Sequence, residues 1–122
     1  MSHINNINVE SFEKLITPNE LIKQIPTNDK ICNFVKKKRN KKIDILDKKD
    51  NRKILIVGPC SIHNTDEAKI YAMKLKDLEE DVQDKILIIM RVYFEKPRTI
   101  TGWKGLINDP DLNNTFDITK GL

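Results

Sequence analysis

Ile54-Leu55-Ile56-Val57-Gly58-Pro59-Cys60-Ser61-Ile62-His63 and, further on, Ile86-Leu87-Ile88-Ile89-Met90-Arg91-Val92-Tyr93-Phe94 are the stretches that decide the fold. Each opens with a short, unbroken apolar run, the pattern of a strand buried on both faces in a parallel sheet. Between them Asn64 and Glu67 form a helix-start signature, and Ala68, Tyr71, Ala72, Leu75, Leu78 and Val82 recur at helical spacing. Gln83-Asp84-Lys85 makes the turn into the second run. Strand, helix and strand at these lengths predict a βαβ unit with a right-handed crossover over 53–94, and hence an α/β protein.

Upstream of Lys53 the character is helical. Residues 1–10 are polar and expected to be mobile unless a partner holds them. Thr17-Pro18-Asn19-Glu20 combines a capping threonine, a proline suited to the first helical position and the glutamate of a capping box. Pro26 ends that helix after Leu21, Ile22 and Ile25. Thr27 is then expected to cap a second helix carrying Ile31, Phe34, Val35, Ile45 and Leu46. Its basic run, Lys36-Lys37-Lys38-Arg39-Asn40-Lys41-Lys42, is read as a solvated face, and Cys32 as a small core residue. Lys48-Lys49-Asp50-Asn51 closes this section as a turn. Downstream, Glu95 to Thr115 shows no periodicity; Trp103, Leu106 and Ile107 predict an ordered loop, with Trp103 packing it down. Asp117 to Leu122 reads as the first turn of another helix.

The whole chain of 122 residues is within the range of one domain. No stretch approaches the roughly 18 apolar residues of a membrane helix, and the N-terminus lacks the basic and apolar regions of a signal peptide. Two cysteines, Cys32 and Cys60, make no CxxC pair and a thin disulfide framework. A reduced, cytoplasmic protein with no membrane partner is expected. The net charge of +4 invites a nucleic-acid reading, but 18 of the 22 basic residues are lysine and no nucleic-acid-binding motif accompanies them. An A/T-rich coding bias accounts for that lysine excess, so no nucleic-acid partner is expected.

Chemistry in parallel α/β proteins collects at the carboxyl ends of strands. Charged residues are almost never buried without a partner, yet Arg91 interrupts the second apolar run, and Lys96, Arg98 and Thr99 follow it. Cations and a hydroxyl at one strand end suit phosphate or carboxylate oxygens. The alternative is that Arg91 pairs with a buried carboxylate of another strand while the other cations are solvated. Cys60, after the Gly58-Pro59 turn, is either a metal ligand or nucleophile, or an inert half-buried thiol. His63 is placed either to share a metal with Cys60 or to bond backbone at a helix start.

Gly58-Pro59-Cys60-Ser61-Ile62-His63, Met90 through Thr99, and Gly102 through Pro110, in this order, resemble the 3-deoxy-D-arabino-heptulosonate 7-phosphate (DAHP) synthase family. The likeness is to its bacterial, feedback-regulated, metal-dependent type. The segment Phe12 to Leu21 looks most like the tryptophan-sensitive form. The resemblance implies a (β/α)8 TIM barrel, of which 53–122 would be the first part, preceded by a helical N-terminal extension over 1–52 that makes oligomer or regulatory contacts. It implies condensation of phosphoenolpyruvate with erythrose 4-phosphate and water to DAHP and phosphate, the entry to chorismate and the aromatic amino acids. Carried onto this sequence, Cys60 matches the metal-ligand cysteine and His63 a histidine near the metal that is not a ligand. Arg91 and Lys96 match phosphoenolpyruvate contacts, with Lys96 also placed to assist the aldehyde. Pro97, Arg98 and Thr99 match erythrose 4-phosphate contacts. Asn64 stands where the family commonly has aspartate.

The implied cofactor is a divalent metal, and a thiolate ligand suits Mn, Fe, Co or Zn better than Mg. The implied partners are the two substrates, an aromatic amino acid inhibitor with tryptophan favoured, and further copies of the chain in a homodimer or homotetramer. A TIM barrel takes about 250 residues, so the chain is expected to be a fragment, inactive alone, with the remaining metal ligands beyond Leu122. Three other readings remain: a different phosphate-handling TIM-barrel lyase or transferase, a truncated non-catalytic relic, and a regulatory subunit that docks through its N-terminal extension.

Overall fold

The computed structural model describes residues 7–9, 11–96 and 101–122. Its elements, in chain order, are α1 (Pro18–Gln24), α2 (Asp29–Leu46), β1 (Lys53–Val57), α3 (Thr65–Val82), β2 (Ile86–Met90) and α4 (Ile118–Gly121). The strands pair in parallel, from Lys53 opposite Ile86 to Val57 opposite Met90. With α3 as the crossover this is the expected βαβ unit.

Local chemistry sets the helix starts. Glu20 Oε2 accepts the Thr17 amide at 2.9 Å and the Thr17 hydroxyl at 2.6 Å, while Thr17 Oγ1 accepts the Glu20 amide. Those bonds from Thr17 hold the Glu20 carboxyl below its ordinary range. The helix stops at Ile25, whose amide still reaches the Leu21 carbonyl. The cap of α2 is Asn28 rather than Thr27: Asn28 Oδ1 accepts the Ile31 amide at 2.9 Å. Asparagine ranks above threonine at this position, which accounts for the one-residue shift. Asn64 caps α3 by accepting the amides of Asp66 and Glu67, as its sequence context predicts.

Packing is thin, and here several expectations are corrected. Leu87 (1% exposed) and Ile62 are the buried hydrophobic side chains among the described residues. The reading of β1 as buried on both faces fails: Leu55 and Ile56 are exposed, Ile56 at 66%. One helical layer over two strands leaves the opposite face uncovered among the described residues. Cys32 is exposed, not in a core. Residues 29–37 are exposed throughout, so Cys32 has no interior to enter among the described residues. The basic run of α2 is not wholly solvated either. Lys38 pairs with Glu79 of α3 and lies 5.6 Å from the centre of the Phe34 ring. Both ends of that ion pair are partly shielded, so the long lysine stem covers apolar surface while its head meets a carboxylate. Arg39, Lys42 and Lys38 edge a cavity of about 590 Å3 floored by β2 and walled by α2 and α3.

At the strands' amino ends, Arg52 braces the entry to β1. Its guanidinium donates to both Asp50 carboxylate oxygens, at 2.6 to 3.1 Å, and to the Gln83 carbonyl at the end of α3. These bonds depress the Asp50 carboxyl and raise the Arg52 guanidinium from their ordinary values.

Candidate functional site at the carboxyl ends of the strands

The second strand is shorter than its sequence suggests. It ends at Met90 rather than Phe94, because its partner turns away at Gly58-Pro59 and proline has no amide to offer a ladder. Arg91 makes one last ladder bond, from its amide to the Val57 carbonyl at 2.8 Å, and the Ile62 amide then takes up the Tyr93 carbonyl. The turn after β1 is thereby laid across the end of β2. Gly58 permits this, since a Cβ there would fall 2.5 Å from the Arg91 carbonyl oxygen.

This crossing determines where Arg91 points. Its Nε donates to the Pro59 carbonyl at 3.1 Å and its Nη2 to the Gly58 carbonyl at 3.0 Å. The Tyr93 ring centre lies 5.6 Å from the guanidinium carbon, within cation–π range. The expected alternatives were an anion site or a buried carboxylate partner. Among the described residues no carboxylate pairs with Arg91. Instead two main-chain carbonyls hold the guanidinium. Arginine carries five N–H donors, and the remaining ones meet no acceptor among the described residues. A half-buried, oriented guanidinium with donors to spare is suited to an anion.

Lys96 is half-buried, and its amide donates to the Lys104 carbonyl at 2.8 Å. The ion pairs among the described residues do not include it. Pro97, Arg98 and Thr99 lie outside the described residues. The loop that follows is ordered, as expected, by Trp103: its indole N–H donates to the Asp109 carbonyl at 2.7 Å. Asp109 itself was not singled out by its sequence. By sequence it is one residue of the aperiodic loop and of the Gly102–Pro110 stretch, and only the fold reveals that it is buried at 3% exposure.

Cys60 is an exposed thiol on the turn between β1 and α3, so the half-buried reading is corrected. A tight turn at the end of a strand displays its residues outward instead of packing them under a helix. His63 is also exposed, with Nε2 3.5 Å from Glu67 Oε2 one helical turn on, rather than bonded to backbone. No group of three or more His, Cys, Asp or Glu side chains that could hold a metal occurs among the described residues. Cys60 offers one soft donor, and the described residues by themselves do not make a metal site.

No helix among the described residues is long and apolar enough to cross a membrane. The sequence profile of the DAHP synthetase I family matches residues 24–122. The chain is 44% identical over 114 residues to the phospho-2-dehydro-3-deoxyheptonate aldolase of Haemophilus influenzae, covering 93% of this chain and 32% of that protein. Two Escherichia coli enzymes of that name are similar as well. The Phe-sensitive one is 43% identical over 96% of this chain and 33% of its own length. The Trp-sensitive one is 41% identical over 100% of this chain and 35% of its own length. The structure of the Francisella tularensis enzyme superposes with a TM-score of 0.87 at 47% identity, over 93% of this chain and 33% of that one. The chain thus spans about a third of the length of the relatives it matches. With its strand-end motifs matched inside that segment, the chain belongs to the DAHP synthetase I family.

Proposed function

We propose that the protein to which these residues belong condenses phosphoenolpyruvate with erythrose 4-phosphate and water, yielding DAHP and inorganic phosphate. The observation that carries this reading is the crossing of the Gly58-Pro59 turn over Arg91, which sets an oriented guanidinium beside the turn bearing Cys60 in a chain of this family. In the same reading β1, α3 and β2 open a (β/α)8 barrel, and residues 1–52 contact a neighbouring copy in a homodimer or homotetramer. The setting is cytoplasmic.

The reaction joins the enol carbon of phosphoenolpyruvate to the aldehyde carbon of erythrose 4-phosphate. Water enters, and the enol phosphate departs as inorganic phosphate. Both substrates carry phosphate, so bringing them together requires fixed cations to offset their repulsion. Arg91, held by two carbonyls, keeps donors for the phosphoenolpyruvate anion without having to reorganise. Lys96 serves the same substrate and donates toward the aldehyde oxygen as charge develops there. Pro97, Arg98 and Thr99 receive erythrose 4-phosphate. Cys60 is one donor to a divalent metal of the Mn, Fe, Co or Zn class, completed by residues other than those described, with His63 beside it. Such an ion polarises a carbonyl or activates water.

An aromatic amino acid regulates the enzyme in this reading. Relatives are named Phe-sensitive and Trp-sensitive, and the Phe12–Leu21 segment favours tryptophan. The test is phosphate release by the full-length protein in metal-buffered solution. Release should require both substrates, and Cys60→Ala should abolish it and lower the bound metal. Phosphate release from phosphoenolpyruvate alone at the full rate would refute condensation.

A further inference from the structure

Asp109 is the one buried charged side chain among the described residues, and the reaction above makes no use of it. Its carboxylate oxygens accept the amides of Asn113 at 3.3 Å and Asn114 at 3.2 Å. Its carbonyl takes the Trp103 indole, and its own amide donates to the Gly105 carbonyl at 3.1 Å. The segment it grips is strained: Leu112, Asn114 and Phe116 have φ of 54°, 61° and 54°, a region that costs residues with a side chain. A buried carboxylate is costly unless hydrogen-bonded, so its amide bonds and the strained turn hold each other in place.

The other side of this loop is stitched to the chain bearing Lys96. The Lys96 amide donates to the Lys104 carbonyl, and the Ile107 amide to the Phe94 carbonyl at 3.2 Å. Gly105, at φ +114°, lies so near that a Cβ would fall 2.6 Å from Glu95 Cα and 2.7 Å from the Lys96 nitrogen. Main chain presses on main chain there, so a shift of the loop is a shift of Lys96.

We propose that Asp109 is a positioning residue for the substrate pocket. Acting through Trp103 and the Lys104–Ile107 clamp, it holds the main chain at Lys96. This rests on the reading of Lys96 as a substrate contact given above. The full-length protein is compared with its Asp109→Ala, Asp109→Asn and Trp103→Phe variants by steady-state kinetics corrected for the folded fraction. A misplacement near 1 Å costs on the order of 10²-fold. Asp109→Ala should therefore lower kcat, or raise the KM of a substrate that Lys96 serves, by roughly 10-fold to 100-fold. Asp109→Asn, which keeps an acceptor oxygen, should be affected less. Trp103→Phe, which loses the indole N–H together with the five-membered half of the ring, should shift the same constants in the same direction.

If Asp109→Ala does not fold, the other two variants carry the test. Loss of activity only in proportion to lost folded protein, with both KM values unchanged, would overturn the positioning role. An active wild type with variants of wild-type kinetics would overturn it equally. A wild type that does not condense the two substrates would instead overturn the function proposed above, and the positioning role with it.

Discussion

Gly58→Ala probes the tightest crossing in the structure. The added Cβ would sit 2.5 Å from the Arg91 carbonyl oxygen, 3.1 Å from its nitrogen and 3.2 Å from its Cβ, where ordinary contact begins at 3.4 Å. Two of those atoms are main chain, so no change of rotamer relieves the clash. The two chains must part by roughly 1 Å, and overpacking of that kind costs about 1–3 kcal/mol. The same movement carries away the Gly58 and Pro59 carbonyls that orient the Arg91 guanidinium. A displacement of about 1 Å at a substrate-holding group costs on the order of 10²-fold in rate. Stability and activity should therefore both fall, and activity by more than unfolding explains. In the full-length protein, thermal melting and kinetics for each substrate are measured side by side. The melting temperature should drop, and kcat/KM for phosphoenolpyruvate should fall about 10²-fold. A variant with wild-type melting and wild-type kinetics would show that Gly58 is not required for the crossing and that Arg91 is not held by it.

Lys96→Ala in the full-length protein should lower kcat by roughly 10²-fold or more, as for a group that stabilises developing charge; a change confined to KM would reduce Lys96 to simple binding. The Arg52 bonds depress the Asp50 carboxyl below its ordinary value of 3.8, so their stabilisation is complete above that pH and is lost as the pH falls through the lower folded value. Arg52→Gln should thus flatten the acid limb of a melting-temperature profile below pH 3.8, and an unchanged limb would refute the coupling. The 122-residue chain by itself should self-associate, since Phe12 (80%), Ile25 (66%), Ile56 (66%) and Phe34 (61%) are largely exposed. A sharp, concentration-independent monomeric melt by ultracentrifugation and calorimetry would contradict that expectation.

What the sequence by itself determined is what neighbouring residues settle among themselves. The capping box at Thr17 and Glu20, the Asn64 cap, the stop at Pro26 and the apolar periods of β1, α3 and β2 are short-range matters of hydrogen bonding and spacing. They made the βαβ unit legible, and the motifs at Cys60 and Arg91 made the family legible. The choice between Thr27 and Asn28 was open at that level because both are good caps. Burial was decided only by tertiary structure, since it depends on what lies opposite. Cys32 and Ile56 are apolar enough for a core but face no covering layer among the described residues, whereas Lys38 meets a carboxylate on a helix far away in sequence. The partners of Arg91 belong to the same class. Two carbonyls of a turn from the neighbouring strand hold it, which no local pattern encodes. Asp109 is the clearest case: by sequence one residue of an aperiodic loop, it is buried because Trp103 and the amides of Asn113 and Asn114 close around it.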